Sequence, residues 1–152
     1  ARALAWHARG HRFDSGILHL KAVHIGPPSS FMPLPHTLIE RLSVHLGTNV
    51  DIERQMPVGG GSINDAYRLD TNQGPFFVKI NSADRFPSMF EAEADGLKRL
   101  RATNTIRVPM VIASGEDHDD SYLLLEHIEG GLKTPVFWEG FGRSLARLHG
   151  YT

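Results

Sequence analysis

The sequence predicts an α+β fold: an antiparallel sheet of about five short strands, one main helix packed on it, and a further helix at the C-terminal end. Three observations predict it. Short β-prone runs alternate with turns rich in Gly, Asn and Asp, the first three of them in close succession. Stretches with helical apolar spacing precede, interrupt and follow the strands. Neither an internal repeat nor a low-complexity tract is present.

Each element follows from a local pattern. Thr37-Leu38-Ile39-Glu40 has the form of a capping box, with Leu38, Leu42 and Leu46 on one helical face and Gly47 as a stop. This predicts a helix over about 37–46. Ile52 to Val58 reads as a strand and leads into Gly59-Gly60-Gly61-Ser62. A second extended run, Ala66-Tyr67-Arg68-Leu69, ends in the turn-forming Thr71-Asn72-Gln73-Gly74. Phe76-Phe77-Val78-Lys79-Ile80 is the most β-prone run, and the three together predict an antiparallel meander.

Ser88-Met89-Phe90-Glu91 is a second capping-box pattern, in which Glu91 is assigned to capping, and it opens a helix to about Ala102. Phe90, Ala94, Leu97 and Leu100 form its apolar stripe. Val108 to Ala113 then predicts a strand, Gly115 to Asp120 an acidic turn, and Ser121 to Glu126 a buried strand. His127-Ile128-Glu129-Gly130-Gly131 reads as a polar, flexible connector. Thr134-Pro135 starts the last helix, with Pro at its first position. Phe137, Phe141, Leu145 and Leu148 supply its stripe, and Gly150 follows its end.

Composition narrows the function. The chain has 152 residues, 41 % hydrophobic and 22 % charged, long enough for one domain with a core of its own. Its 16 Lys and Arg stand against 17 Asp and Glu, which gives no basis for nucleic-acid binding. No apolar run approaches the roughly 18–20 residues of a membrane span. The absence of Cys excludes disulfides, thiolate metal sites and a thiol nucleophile. The expectation is a soluble, cytoplasmic protein without a membrane partner.

Residues 1–31 differ from the rest. Arg2, Arg9, Arg12 and Lys21 oppose only Asp14, so this stretch is basic while residues 32–152 are net acidic. It reads as an N-terminal extension ahead of a folded unit that starts near Met32. His7 and His11 have the spacing of two ligands on a helix face, but no third ligand follows at a defined interval, so no metal site is expected.

Two residues are anomalous where they stand. Glu93 lies within the apolar stripe of its helix, between Leu97 and Leu100, and Lys79 is embedded in an apolar strand. A charge on an apolar face is costly unless it is paired, and each explains the other. Three consecutive glycines let backbone N–H groups approach a polyphosphate without side-chain clash. A Lys that neutralises phosphate oxygens and a Glu that fixes its ammonium complete the nucleotide-holding half of a kinase-like phosphotransferase. Competing glycine motifs fail: no Lys-Ser or Lys-Thr follows at Walker spacing, and the loop precedes a strand rather than a helix.

The blocks Gly59-Gly60-Gly61-Ser62-Ile63-Asn64, Phe76-Phe77-Val78-Lys79-Ile80-Asn81 and Met89-Phe90-Glu91-Ala92-Glu93-Ala94 resemble the fructosamine kinase, or ketosamine-3-kinase, family. So do Arg107-Val108-Pro109, Leu123-Leu124-Leu125-Glu126-His127-Ile128 and Gly142 to His149, so that the resemblance covers about residues 33–150. It implies a protein-kinase-like N-terminal lobe over 32–128, and a linker with the first helix of a truncated second lobe over 129–152. It further implies ATP with Mg²⁺, and as acceptor the sugar 3-hydroxyl of a ketosamine on a glycated amine or protein, a reaction that serves deglycation. By position, Gly59, Gly60, Gly61 and Ser62 would cover the phosphates, Lys79 would contact them and Glu93 would hold Lys79. The backbone of Glu126, His127 and Ile128 would meet the adenine, and the Glu126 side chain would be a solvated strand end. Some members carry a redox-active Cys in the glycine loop; Ser62 stands at that place.

The family's His-Gly-Asp catalytic loop, downstream Asn and metal-binding Asp have no counterpart. Leu148-His149-Gly150-Tyr151 places Tyr where the Asp belongs and reads as a helix terminus. No catalytic or metal-binding residue is therefore assigned, and the chain is expected to be an inactive fragment that binds nucleotide at best. Two alternatives are a catalytically inert nucleotide-binding or protein-interaction module, and a fragment of an aminoglycoside-phosphotransferase-like kinase. Phe137, Trp138, Phe141 and Leu145 would lack their normal cover, which predicts self-association through the last helix.

Overall fold

The computed structural model describes residues 33–59 and 63–151. Residues 1–31, with His7 and His11, lie outside it, as do Gly60, Gly61 and Ser62. The elements are α1 (His36–Leu46), β1 (Ile52–Pro57), β2 (Asp65–Thr71), β3 (Gly74–Ser82), α2 (Met89–Ala102), β4 (Val111–Asp117), β5 (Asp120–Glu126) and α3 (Pro135–His149). The five strands form one antiparallel sheet in the order β1-β2-β3-β5-β4. Of its hairpin turns, that between β2 and β3 needs Gly74 at φ 102°, a region closed to most side chains.

Both faces of the sheet are covered. On one, Leu38 and Leu42 of α1 pack with Val50, Leu69, Phe76, Val78, Tyr122 and Leu124. On the other, Phe90 and Ala94 of α2 pack with Leu123 and Leu125, flanked by Phe77, Leu97 and Val111. Strand alternation therefore splits β3, with Phe76 and Val78 toward α1 and Phe77 and Lys79 toward α2. β5 lies between two helices, which is why Tyr122-Leu123-Leu124-Leu125 is apolar without alternation. Each fully buried Leu stabilises the fold by about 2 kcal/mol. The α2 stripe is buried only as far as Leu97, and Leu100 is exposed.

Four local expectations are corrected. Thr37 is not a helix cap: α1 starts after Pro35, and the Thr37 N–H donates to Asp117 Oδ2 at 3.1 Å while its hydroxyl donates to Tyr122 OH at 3.2 Å. A partner from β4 replaces the local capping box. Ser88 does precede α2, but at φ 57° its side chain makes no capping bond. An N-cap hydroxyl works from an extended backbone, so the capping role of Glu91, which is exposed, falls as well.

β4 begins at Val111 rather than Val108, because Pro109 has no N–H for a ladder and the Met110 N–H is taken by the Glu126 carboxylate at 3.1 Å. The acidic turn shrinks to His118-Asp119, since Gly115, Glu116 and Asp117 pair with Tyr122, Ser121 and Asp120. Gly115 is fitted to this register, for a Cβ there would stand 3.0 Å from Tyr122 OH.

The last helix behaves as its sequence predicts. Thr134 accepts the Phe137 N–H at 3.2 Å, and Pro135 occupies the first turn. None of its residues is buried. Phe137, Trp138 and Phe141 cluster with ring centroids 5.1–6.4 Å apart and remain exposed.

Candidate functional site

Lys79 and Glu93 meet. The Lys79 ammonium donates to both carboxylate oxygens of Glu93, at 2.7 and 3.0 Å. The strand turns Lys79 toward α2 and the helix turns Glu93 toward β3, so the pair bridges sheet and helix on the face that also holds Phe77 and Leu123. The side chains keep 25 % and 32 % of their exposure, leaving the ammonium reachable from solvent.

The glycine segment stands in sequence between β1 and β2. At Gly59 an added Cβ would meet nothing within 4 Å, so the loop entrance is open. Its two ends are fastened. The Val58 N–H donates to Ala66 O at 2.8 Å, and Asn81 Nδ2 donates to Ile63 O at 3.1 Å and to Asn64 Oδ1 at 2.6 Å. Asn81 thus ties the loop exit to the strand that carries Lys79. The role of Asn81 has one signal in the sequence, its two-residue offset from Lys79, which puts both on one strand face.

The connector residues Glu126, His127 and Ile128 line a cavity of about 340 Å³ with Val58, Phe77, Pro109 and Leu125. Its wall is largely apolar, as a planar heterocycle requires. Among the described residues, neither the backbone N–H nor the C=O of His127 or Ile128 enters a hydrogen bond, so the connector keeps donors and acceptors for a ligand. Val58, one residue before Gly59, lines this cavity.

The Glu126 side chain corrects the expectation of a solvated strand end. Its carboxylate accepts from Arg107 Nη2 at 2.9 Å and from the Met110 N–H at 3.1 Å, with Arg101 Nη1 at 3.6 Å. The Met110 N–H and then Arg107 hold its carboxyl below the usual carboxylate range. His127 Nδ1 is buried without a hydrogen-bond partner, 3.7 Å from Glu129 Oε1. Glu129 in turn accepts from Arg68 of β2 at 3.2 Å, which ties the connector to the sheet.

Two further observations set limits. Among the described residues no group of three or more His, Asp or Glu side chains could hold a metal ion. No described helix is long and apolar enough to cross a membrane. A larger cavity of about 880 Å³, between residues 101–108 and α3, is lined by Ile106, Phe137 and Phe141 and contains neither Lys79 nor Glu93. The smaller cavity does not include that pair either, but Phe77 in its wall precedes Lys79 by two residues on the same strand face.

A five-stranded antiparallel sheet, a helix whose Glu holds a strand Lys, and a connector leaving the last strand define the N-terminal lobe of a protein-kinase-like fold. Residues 35–152 match the sequence profile of the fructosamine kinase family, so the chain belongs to that family. It is 40 % identical over 118 residues to a probable ketoamine kinase of Synechocystis, covering 77 % of this chain and 40 % of that one. A chloroplastic protein-ribulosamine 3-kinase of Oryza sativa is 36 % identical over 137 residues, covering 80 % and 40 %. The crystal structure of a Haemophilus somnus protein assigned as a fructosamine-3-kinase superposes with a TM-score of 0.69 at 30 % identity, over 76 % of this chain and 39 % of that one. The chain thus spans about two fifths of the length of these relatives. The chloroplastic name stands against a cytoplasmic location as the general rule for such proteins.

Proposed function

We propose that this chain is the ATP-holding portion of a ketosamine-3-kinase. The Lys79–Glu93 pair carries the reading: a partly exposed ammonium, held by two oxygens, beside an apolar cavity at a connector with open backbone groups. The adenine would sit against Val58, Phe77 and Leu125 and bond to the connector backbone. Lys79 would neutralise phosphate oxygens while Glu93 fixes its position. Gly59 fits the role of loop entrance because nothing crowds its backbone; Gly60, Gly61 and Ser62 would complete the cover.

ATP with Mg²⁺ supplies the phosphoryl group and its charge neutralisation in such chemistry. The residues of this chain contribute binding and orientation, and the acceptor would be the sugar 3-hydroxyl of a glycated amine, the step that leads to deglycation. The names of the ketoamine and ribulosamine kinases among its relatives support that acceptor class. The 152 residues contain no His-Gly-Asp segment, which supports nucleotide binding without turnover by this chain alone. The exposed Phe137, Trp138 and Phe141 support self-association of the chain on its own through α3.

The test is to titrate the purified chain with Mg-ATP and assay a fructosamine or ribulosamine for phosphorylation in the same sample. Binding without turnover is the expected result. Turnover would overturn the assignment of this chain as a binding portion only, and absence of binding would leave a lobe that serves protein contacts.

A further inference from the structure

We infer that the Glu126 carboxylate is a positioning residue that sets the width of the base end of the nucleotide cavity. One oxygen accepts from Arg107 Nη2 at 2.9 Å and the other from the Met110 N–H at 3.1 Å, so both flanks of the Val108-Pro109 segment are tied to it. The Glu126 N–H returns a bond to Met110 O at 2.9 Å, closing a two-point clamp between the end of β5 and this segment. Arg101, near the end of α2, stands 3.6 Å from the same carboxylate and donates to Val108 O at 2.7 Å.

The consequence is geometric. Pro109 forms one wall of the 340 Å³ cavity, and Glu126, His127 and Ile128 form another. A single carboxylate therefore fixes both walls relative to each other, and through Arg101 relative to the helix that carries Glu93. Charge-assisted bonds to two partners, in a group that keeps about a third of its exposure, favour one spacing over the alternatives. Neutralising or removing the carboxylate leaves Pro109 and the connector joined by one backbone bond, and the cavity loses its set width. The Glu126 carboxylate itself bonds to neither Lys79 nor Glu93, whose own pairing stays in place.

This inference rests on the nucleotide reading, and its test separates the two. Calorimetry on the full chain measures ATP, adenosine and inorganic tripolyphosphate, for wild type, Glu126→Ala, Glu126→Gln and Arg107→Ala. Glu126→Ala is expected to weaken adenosine by about tenfold and leave tripolyphosphate unchanged, with Arg107→Ala acting in the same direction by a few-fold. Glu126→Gln, which retains an acceptor for the Met110 N–H, is expected to fall between wild type and Glu126→Ala. Adenosine affinity unchanged in the folded variants, or equal losses for all three ligands, overturns the positioning role. Should Glu126→Ala fail to fold, the exposed Arg107 and the Gln variant carry the same expectation. A wild-type chain that binds no ATP removes the nucleotide reading, whereas a binding wild type with indifferent variants removes this inference alone.

Discussion

Replacing Lys79 and Glu93 together by Met and Leu separates a functional ion pair from a structural one. At 2.7 Å and an effective dielectric of about 20, the gross attraction is roughly 6 kcal/mol. Desolvation of both groups and ordering of the long Lys side chain oppose it. With 25 % and 32 % of the side chains still exposed, solvent screening reduces the net contribution to about 1 kcal/mol. Phe77, Leu123 and Leu97 belong to the apolar cluster on the same face of the sheet, so Met and Leu recover most of that through burial. The Lys79→Met/Glu93→Leu variant should therefore remain within about 1 kcal/mol of the parent, a melting shift of about 4 °C or less. Far-UV circular dichroism in urea measures this, and ATP binding in the same preparation should vanish. A stability loss above about 3 kcal/mol would show that the pair is a fastening between β3 and α2, and retained ATP binding would refute its role toward phosphate.

Other consequences can be checked independently. The Glu126 carboxyl is depressed in the folded state, so the stability it confers is fully present above the ordinary Glu value of about 4.3 and lost as pH falls through its lower folded value. Urea unfolding between pH 7 and pH 3 should show a steeper acid loss for wild type than for Glu126→Gln. Asp117→Ala removes the carboxylate that receives the Thr37 N–H, and should cost about 1 kcal/mol, read as a lower urea midpoint. Thr134→Ala removes the acceptor of the Phe137 N–H, and should fray α3 by about 1 kcal/mol, visible as reduced helical ellipticity with the sheet intact. Leu42→Ala, at a fully buried α1 position, should destabilise by about 2–5 kcal/mol in the same unfolding assay.

What the sequence made legible was set by how local each cause is. β3 was readable because Phe76 to Ile80 is apolar, aromatic and β-branched on both faces. The Lys79–Glu93 contact was readable because two charges in apolar settings require partners, although nothing in the chain near Lys79 identifies Glu93 beyond helical spacing. The Thr37 capping box misleads because the partner of the Thr37 N–H is Asp117, 80 residues further along the chain, and the Ser88 box because the backbone there adopts a positive φ of 57°. The start of β4 depends on a distant partner in the same way: Pro109 is visible in sequence, but the capture of the Met110 N–H by Glu126 is a tertiary event. Glu126 itself looked like a strand end, since Arg101 and Arg107 reach it only after α2 and β5 have packed.

In the proposed function, Lys79, held by Glu93, would receive the phosphates of a nucleotide seated at the Glu126-His127-Ile128 connector. Calorimetric titration of Mg-ATP into the wild-type chain and into Lys79→Ala tests it most directly. Saturable binding by wild type that is lost in Lys79→Ala is expected, with the two proteins unfolding at similar urea concentrations. Equal ATP affinity in both proteins, or no binding by a folded wild type, would contradict it.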